Sequence, residues 1–188
     1  MSTNTPKVRV GIVGFGTVGR ATAEILASHA PDIAERCGAT LEVSAVCRRT
    51  GIPDDQRPGG ARVYTDWREL VASPDVDLVV ETMGGTGEAR LVVSAALEAR
   101  KPVVTANKNL LAAHGEELLQ LAARQNLPLG FEAAVAGGIP VIRAIAEGTA
   151  GDRLRAVYGI LNGTANYILT RMDADGVEFA PALAEAQR

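Results

Sequence analysis

Short runs of apolar, often β-branched residues alternate along this chain with longer segments whose apolar positions recur every three or four residues. The first kind reads as strand and the second as helix, and their alternation marks repeated β-α-β units on a parallel sheet. The pattern predicts strands over residues 8–13, 41–46, 78–81, 103–105 and 129–132. The second of these alternates, whereas the others are apolar enough to be covered on both faces. One helical face is marked by Val18, Ala21, Thr22, Ile25 and Leu26, a second by Leu91, Val92, Ala95, Ala96 and Ala99, and a third by Leu118, Leu119, Leu121 and Ala122. The stretch RRTGIPDDQRPGGARV over 48–63 is rich in Pro, Gly and charge and reads as a loop, followed by a short helix DWRELVA capped by Asp66.

Further on the pattern changes. Pro140 suits the first turn of a helix and Gly148 its end, residues 154–161 (LRAVYGIL) read as a strand, NGT as a turn, and 165–172 as a helix. This is the entry to a second domain. Its roughly 40 residues fall short of the ~50 a domain normally needs, so the sequence predicts a piece that is incomplete in this chain or completed by a partner.

Composition narrows the class. With 47% hydrophobic and 22% charged residues, the 188-residue chain has the balance of an ordinary globular protein and not of a disordered one. A net charge of -3 gives no general attraction for nucleic acid or an anionic membrane, so neither is expected as a partner. The longest uncharged apolar stretches, such as AAVAGGIPVI, fall well short of the ~18–20 residues of a membrane span. The opening MSTNTPKVRV carries no long apolar run, so no secretory leader is read and a cytoplasmic location is expected. Cys37 and Cys47 show neither metal-ligand nor disulfide spacing and read as small packing residues away from any substrate loop. His29 and His114 are assigned no role, Trp67 reads as packing, and Glu116 and Glu117 as a solvated face.

The chemistry begins in VGIVGFGTVGRATAEIL, where a strand passes through Gly14, Gly16 and Gly19 into a helix. In a Rossmann-like, doubly wound α/β fold the first glycine of such a GxGxxG permits the tight turn. The second leaves room for a pyrophosphate and the third lets the helix pack closely on the strand. The amides and positive end of the helix then face the anion. At the end of the second strand the sequence has Arg48 and Arg49 and no acid until Asp54. Arginine there accommodates a 2′-phosphate, which favours NADP over the alternative, NAD.

Three further stretches are more specific: VVETMGG at 79–85, KPVVTANKNLLA at 101–112, and the long segment from Phe131 to Met172 containing FEAAVAGGIP and LNGTANYI. With the glycine-rich opening they resemble homoserine dehydrogenase over almost the whole chain from Val8. The resemblance implies a Rossmann-like nucleotide-binding domain over 1–138 and the start of an α+β substrate and dimerisation domain over 139–188. It implies NADP-dependent interconversion of homoserine and aspartate semialdehyde on the route to threonine, methionine and isoleucine. By the same resemblance Phe15, Gly16, Thr17 and Val18 cradle the pyrophosphate, Arg48 and Arg49 take the adenosine end, and Thr82 and Gly84 approach the nicotinamide. Thr105 and Lys108 then lie at a strand end, with Lys108 contacting coenzyme and substrate. Lysine occurs only at Lys7, Lys101 and Lys108 in this arginine-rich chain, which makes Lys108 stand out. Gly163 and Thr164 match the turn that closes on homoserine. Glu132, through its side chain, and Val135, Gly137 and Ile139, through backbone oxygens, match a structural monovalent cation site, sodium in the family. The full-length enzyme would be a homodimer.

The acid and lysine that exchange the hydroxyl proton in the family come after the helix that holds FAPALAEAQR, so the expectation is a truncated and largely inactive chain. The alternative is a non-catalytic NADP-binding module. Aspartate-semialdehyde dehydrogenase, which needs a nucleophilic cysteine in its catalytic region, is disfavoured because no cysteine follows Cys47.

Overall fold

The computed structural model describes residues 5–160 and 162–188. It divides into two compact units, Met1–Gly137 and Gly138–Arg188. In the first, β1 (Lys7–Val13), β2 (Thr40–Cys47), β3 (Arg62–Tyr64), β4 (Leu78–Glu81), β5 (Val103–Thr105) and β6 (Leu129–Gly130) form one sheet in the order β3-β2-β1-β4-β5-β6. Every pairing is parallel. The chain winds outward from β1 to β3 on one side, then returns to β4 and winds outward on the other. The strand order therefore reverses between β1 and β4, where a crevice opens beyond the strands' carboxyl ends.

The alternation of side chains across the pleat sorts the core into two layers. Val10, Ile12, Val43, Val46 and Val80 pack with Phe15 and Ala23, the latter from α1 (Thr17–Ser28). Α2 (Ala30–Cys37) follows it. Val13, Ala45, Val79 and Val103 face the opposite way. They pack against Leu70 of α3 (Trp67–Ala72), Val92 and Ala96 of α4 (Gly87–Glu98), and Leu110 and Leu118 of α5 (Lys108–Gln125). Asp66 caps α3 as predicted, accepting from the Arg68 amide at 2.9 Å.

Several boundaries differ from the sequence reading. The predicted loop over 48–63 contains the start of an edge strand, β3, paired with the end of β2. The helix α2 was not predicted; its entry carries Pro31 and its end a left-handed Gly38. The strand predicted to reach residue 132 stops at Gly130, because β6 meets only the three-residue β5 and pairs through Val103 and Val104 alone. Glu132 lies instead in a 3₁₀ turn, Glu132–Ala134.

The second unit holds α6 (Val141–Ala146), α7 (Gly163–Asp175) and α8 (Phe179–Ala186). Pro140 precedes the first helical residue of α6, and the helix ends at Ala146, short of Gly148. NGT is not a free turn: Asn162 caps α7 by accepting from the Ala165 amide at 2.9 Å, and Gly163 and Thr164 are already helical. Α7 and α8 are joined through Arg171, which bonds Asp175 on its own helix and Glu185 across. Residues 154–160 are not a strand, contrary to the sequence reading, and Leu161 lies outside the described residues. Among the described residues no neighbouring strand offers them a ladder, and an extended segment without one has no stable pairing for its backbone groups.

At the amino ends of the central strands Arg9 clamps Asp77, with its Nε and Nη2 donating at 2.9 and 2.6 Å and its amide at 2.8 Å. The guanidinium holds the Asp77 carboxyl down at about 2. A carboxylate depressed on folding contributes stability above its unfolded pKa, and that contribution is lost as pH falls from about 4 toward 2. Asp77→Asn should lower the melting temperature at pH 7 by about 2–4 °C, a modest figure because the pair is partly solvated. It should also flatten the acid-induced loss over that window. Thermal melts of both proteins from pH 7 to pH 2 measure it, and parallel curves would contradict the assignment.

Candidate functional site

The turn from β1 into α1 is built by its glycines. Gly14 has φ of +99°, a region side-chain-bearing residues rarely adopt, and a Cβ there would lie 2.6 Å from the Thr82 carbonyl carbon. Its amide donates to the Cys47 carbonyl at 3.1 Å and its carbonyl accepts from Thr82 Oγ1 at 2.6 Å, tying the turn to the ends of β2 and β4. A Cβ on Gly19 would stand 2.3 Å from the Gly14 carbonyl oxygen, so only hydrogen lets α1 approach this closely. Gly16 is different. Its φ of -90° suits any residue, and a Cβ there meets nothing within 4 Å. The space above Gly16 is open to a ligand.

That space lies at the amino end of α1, which has no side-chain cap and no acidic residue in its first turn. Its first amides are left without helical acceptors and the helix dipole is unscreened there, which suits an anion. Thr17 and Val18 are exposed in this first turn, whereas the Phe15 ring is buried in the core and only its backbone is offered to the turn.

A crevice of about 660 Å³ runs from this turn across the sheet's carboxyl edge. Its walls include Gly14–Gly16, Arg48 and Arg49, the start of α3 at Asp66–Arg68, and the loop after β4 at Thr82–Gly84. This volume is within the range of small-molecule and cofactor sites. Among the described residues neither Arg48 nor Arg49 is held in an ion pair, so both guanidiniums are available to a ligand. Arg68 lies over the Trp67 ring at 4.3 Å, and Trp67 Nε1 donates to Glu88 at 3.2 Å. Trp67 is buried, as expected of a packing residue.

Cys47 requires a correction. The sequence reading put it away from the ligand loops, but β2 runs to Cys47, which ends the strand and lines the crevice. It is buried, and burial pushes its thiol up to about 11, with Asp66, Glu88 and Glu69 adding to the shift. A thiol so far from ionisation is a packing residue and not a nucleophile. Cys37 is exposed at the end of α2 and is not a packing residue. Glu117 is likewise more than a solvated charge: it accepts from Arg90 Nη2 at 2.6 Å and joins α5 to α4.

Lys108 is the exposed first residue of α5. Asn107 precedes it as the cap, its Oδ1 accepting from the Leu110 amide at 3.1 Å. Thr105 is completely buried, with its hydroxyl donating to Glu81 Oε2 at 2.5 Å and accepting from the Asn107 amide at 3.0 Å. Neither Glu81 nor Asn107 was singled out in the sequence reading. Their only sequence signal was that an acidic residue closes an otherwise apolar strand and an Asn precedes a helix.

Glu132 and Val135 begin and follow the 3₁₀ turn, and Ala136 and Gly137 continue it with φ of 55° and 60°. Ile139 belongs to the second unit, where its carbonyl accepts from the Val141 amide at 2.8 Å. Among the described residues no three His, Cys, Asp or Glu side chains converge on a metal position. A cation here would depend on backbone oxygens. Gly163 and Thr164 line a shallow cleft with Tyr167, Glu185 and Ala186 in the second unit. Among the described residues no helix is long and apolar enough to cross a membrane.

Comparison with known proteins agrees with this layout. Residues 14–132 match the family described as "Homoserine dehydrogenase, NAD binding domain", and residues 140–188 match the one described as "Homoserine dehydrogenase". A homoserine dehydrogenase of Neisseria gonorrhoeae is 47% identical over 180 residues, covering 96% of this chain and 41% of that protein. The one from Corynebacterium glutamicum is 43% identical over 185 residues, again covering 96% and 41%. The chain thus spans about two fifths of the length of these curated relatives. The crystal structure of a homoserine dehydrogenase from Thiobacillus denitrificans superposes with a TM-score of 0.84 at 40% identity, covering 97% of this chain and 42% of the other. A hyperthermophilic archaeal homoserine dehydrogenase in complex with NADPH superposes with a TM-score of 0.77 at 30% identity, covering 96% and 60%.

Proposed function

The chain belongs to the homoserine dehydrogenase family, and from that premise we propose that its first unit is the NADP-binding part of an enzyme interconverting L-homoserine and L-aspartate 4-semialdehyde. The single observation that carries the reading is the open space above Gly16 at an unscreened helix amino end, in the same crevice as Arg48 and Arg49. The amides of residues 15–18 would bind the pyrophosphate, and the paired guanidiniums the adenosine 2′-phosphate. That a relative is described in complex with NADPH supports this coenzyme.

When bound, the coenzyme supplies the hydride acceptor or donor. The chain's own residues then orient and polarise. Thr82 and Gly84 border the nicotinamide end, and Lys108 at the start of α5 offers an ammonium to the oxygen on which charge develops as homoserine and aldehyde interconvert. Gly163 and Thr164 contribute to closing on the substrate. By the family resemblance, Glu132 and the carbonyls of Val135 and Gly137 in the first unit would hold sodium in a structural role. We place the protein in the cytoplasm, as a homodimer at full length, in the biosynthesis of threonine, methionine and isoleucine.

The test is a titration with NADPH and with NADH, followed by homoserine-dependent reduction of NADP. Arg48→Ala combined with Arg49→Ala should weaken NADPH by about tenfold or more, the scale of losing one or two charge-assisted hydrogen bonds, and leave NADH nearly unchanged. Equal effects on both coenzymes would return the arginines to the surface.

A further inference from the structure

Among the described residues Glu81 is the only acidic or basic side chain that is fully buried. A leucine of similar size would fill the same space without the cost of removing a charge from water, so the carboxylate must be explained by what it bonds. Its Oε1 accepts from the Met83 amide at 2.6 Å, and its Oε2 from the Thr105 hydroxyl at 2.5 Å. Thr105 accepts in turn from the Asn107 amide. The Asn107 side chain returns to the same loop, its Nδ2 donating to the Gly85 carbonyl at 2.7 Å and the Met83 carbonyl at 3.3 Å, while its Oδ1 caps the helix that starts at Lys108. The circuit therefore joins the carboxyl end of β4, the loop over 83–85, the end of β5 and the first turn of α5. Met83 and Gly84 line the crevice, as does Thr82 beside them.

We propose that Glu81 is a positioning residue for the nicotinamide end of the coenzyme. Its buried carboxylate sets the backbone of residues 83–85 and, through Thr105 and Asn107, the start of the helix that presents Lys108. The inference rests on the coenzyme reading above and goes beyond it, because Glu81 touches no ligand in that reading. Burial raises the carboxyl pKa above its ordinary value, and the hydrogen bonds from Thr105, Met83 and Asn107 offset only part of that rise.

The experiment compares two probes on the 188-residue chain: NADPH, and 2′-phospho-ADP-ribose, which carries the adenosine and pyrophosphate but no nicotinamide. Glu81→Gln keeps an acceptor for the Met83 amide but turns the Thr105 contact from carboxylate acceptor to amide donor. Glu81→Leu removes both acceptors. NADPH affinity should fall about fivefold in the first and about twentyfold or more in the second, the range expected for disturbing one or two charge-assisted hydrogen bonds. Affinity for 2′-phospho-ADP-ribose should stay within about twofold in both, because its contacts lie at the Gly16 turn and the arginines. If Glu81→Leu fails to fold, Glu81→Gln, with its melting temperature checked, decides the matter alone. Amide hydrogen exchange at Met83, measured without ligand, should be faster in Glu81→Leu, where that amide has lost its acceptor. Equal weakening of both probes, no weakening of NADPH, or unchanged exchange at Met83 in a folded Glu81→Leu would overturn the proposal. If the unmodified chain bound neither probe, the coenzyme reading itself would fail, a result distinct from intact binding that Glu81 does not influence.

Discussion

Gly16→Leu should reduce NADPH affinity by about a hundredfold or more and leave the melting temperature within about 2 °C of the parent. The two halves of this expectation come from the same geometry. The backbone at Gly16 is extended with a φ of -90°, which leucine adopts without strain, and the added side chain meets no protein atom at its root. Substitutions that touch nothing usually change stability by less than half a kcal/mol. The open volume is nonetheless the approach of the pyrophosphate to the first amides of α1, and a branched side chain there takes the place of the anion. Isothermal titration beside a thermal melt separates the effects. A stable variant that still bound NADPH at the parent's affinity would show that the anion does not sit above Gly16.

Gly19→Ala should do the reverse in its first effect, lowering stability by about 3 kcal/mol or more and the melting temperature by about 6–12 °C. Here the new methyl would stand 2.3 Å from the Gly14 carbonyl oxygen and 3.0 Å from Thr82 Oγ1, and backbone gives way less readily than a flexible side chain. Relief requires α1 to move off the turn. That movement breaks the Thr82 to Gly14 hydrogen bond and tilts the helix amides away from the crevice, so coenzyme affinity should fall together with stability. Calorimetric melts and the same titration test the pair of outcomes. A variant as stable as the parent would mean that the close packing at Gly19 does not constrain the turn.

The contrast between these neighbouring glycines shows what kind of information the chain's own order carries. The GxGxxG spacing announced a tight turn, room above the second glycine and a close approach at the third; the turn is at Gly14, the open space at Gly16 and the close approach at Gly19, because these are set within six positions by backbone conformation and side-chain size. The alternation of strands and helices was legible for a similar reason, since burial on both faces of a parallel sheet leaves continuous apolar runs. The errors are of another sort. Residues 154–160 have a strand's composition but no ladder among the described residues, and the short β3 hides in a loop-like composition because pairing with β2 makes it a strand. Cys47 was misplaced because one more residue of β2 carries it to the crevice.

Glu81 marks the boundary most clearly. The doubly wound architecture, the glycine turn and the arginine pair are legible in the order of residues, since local periodicity, residue size and charge are enough to specify them. Which strands lie side by side depends on how the whole sheet assembles. That placement brings Glu81 within hydrogen-bonding distance of Thr105, 24 positions away, and puts the Asn107 side chain against the Gly85 carbonyl. A buried charge is tolerated only where donors converge on it, and convergence across a strand order is a property of the folded sheet and not of any segment.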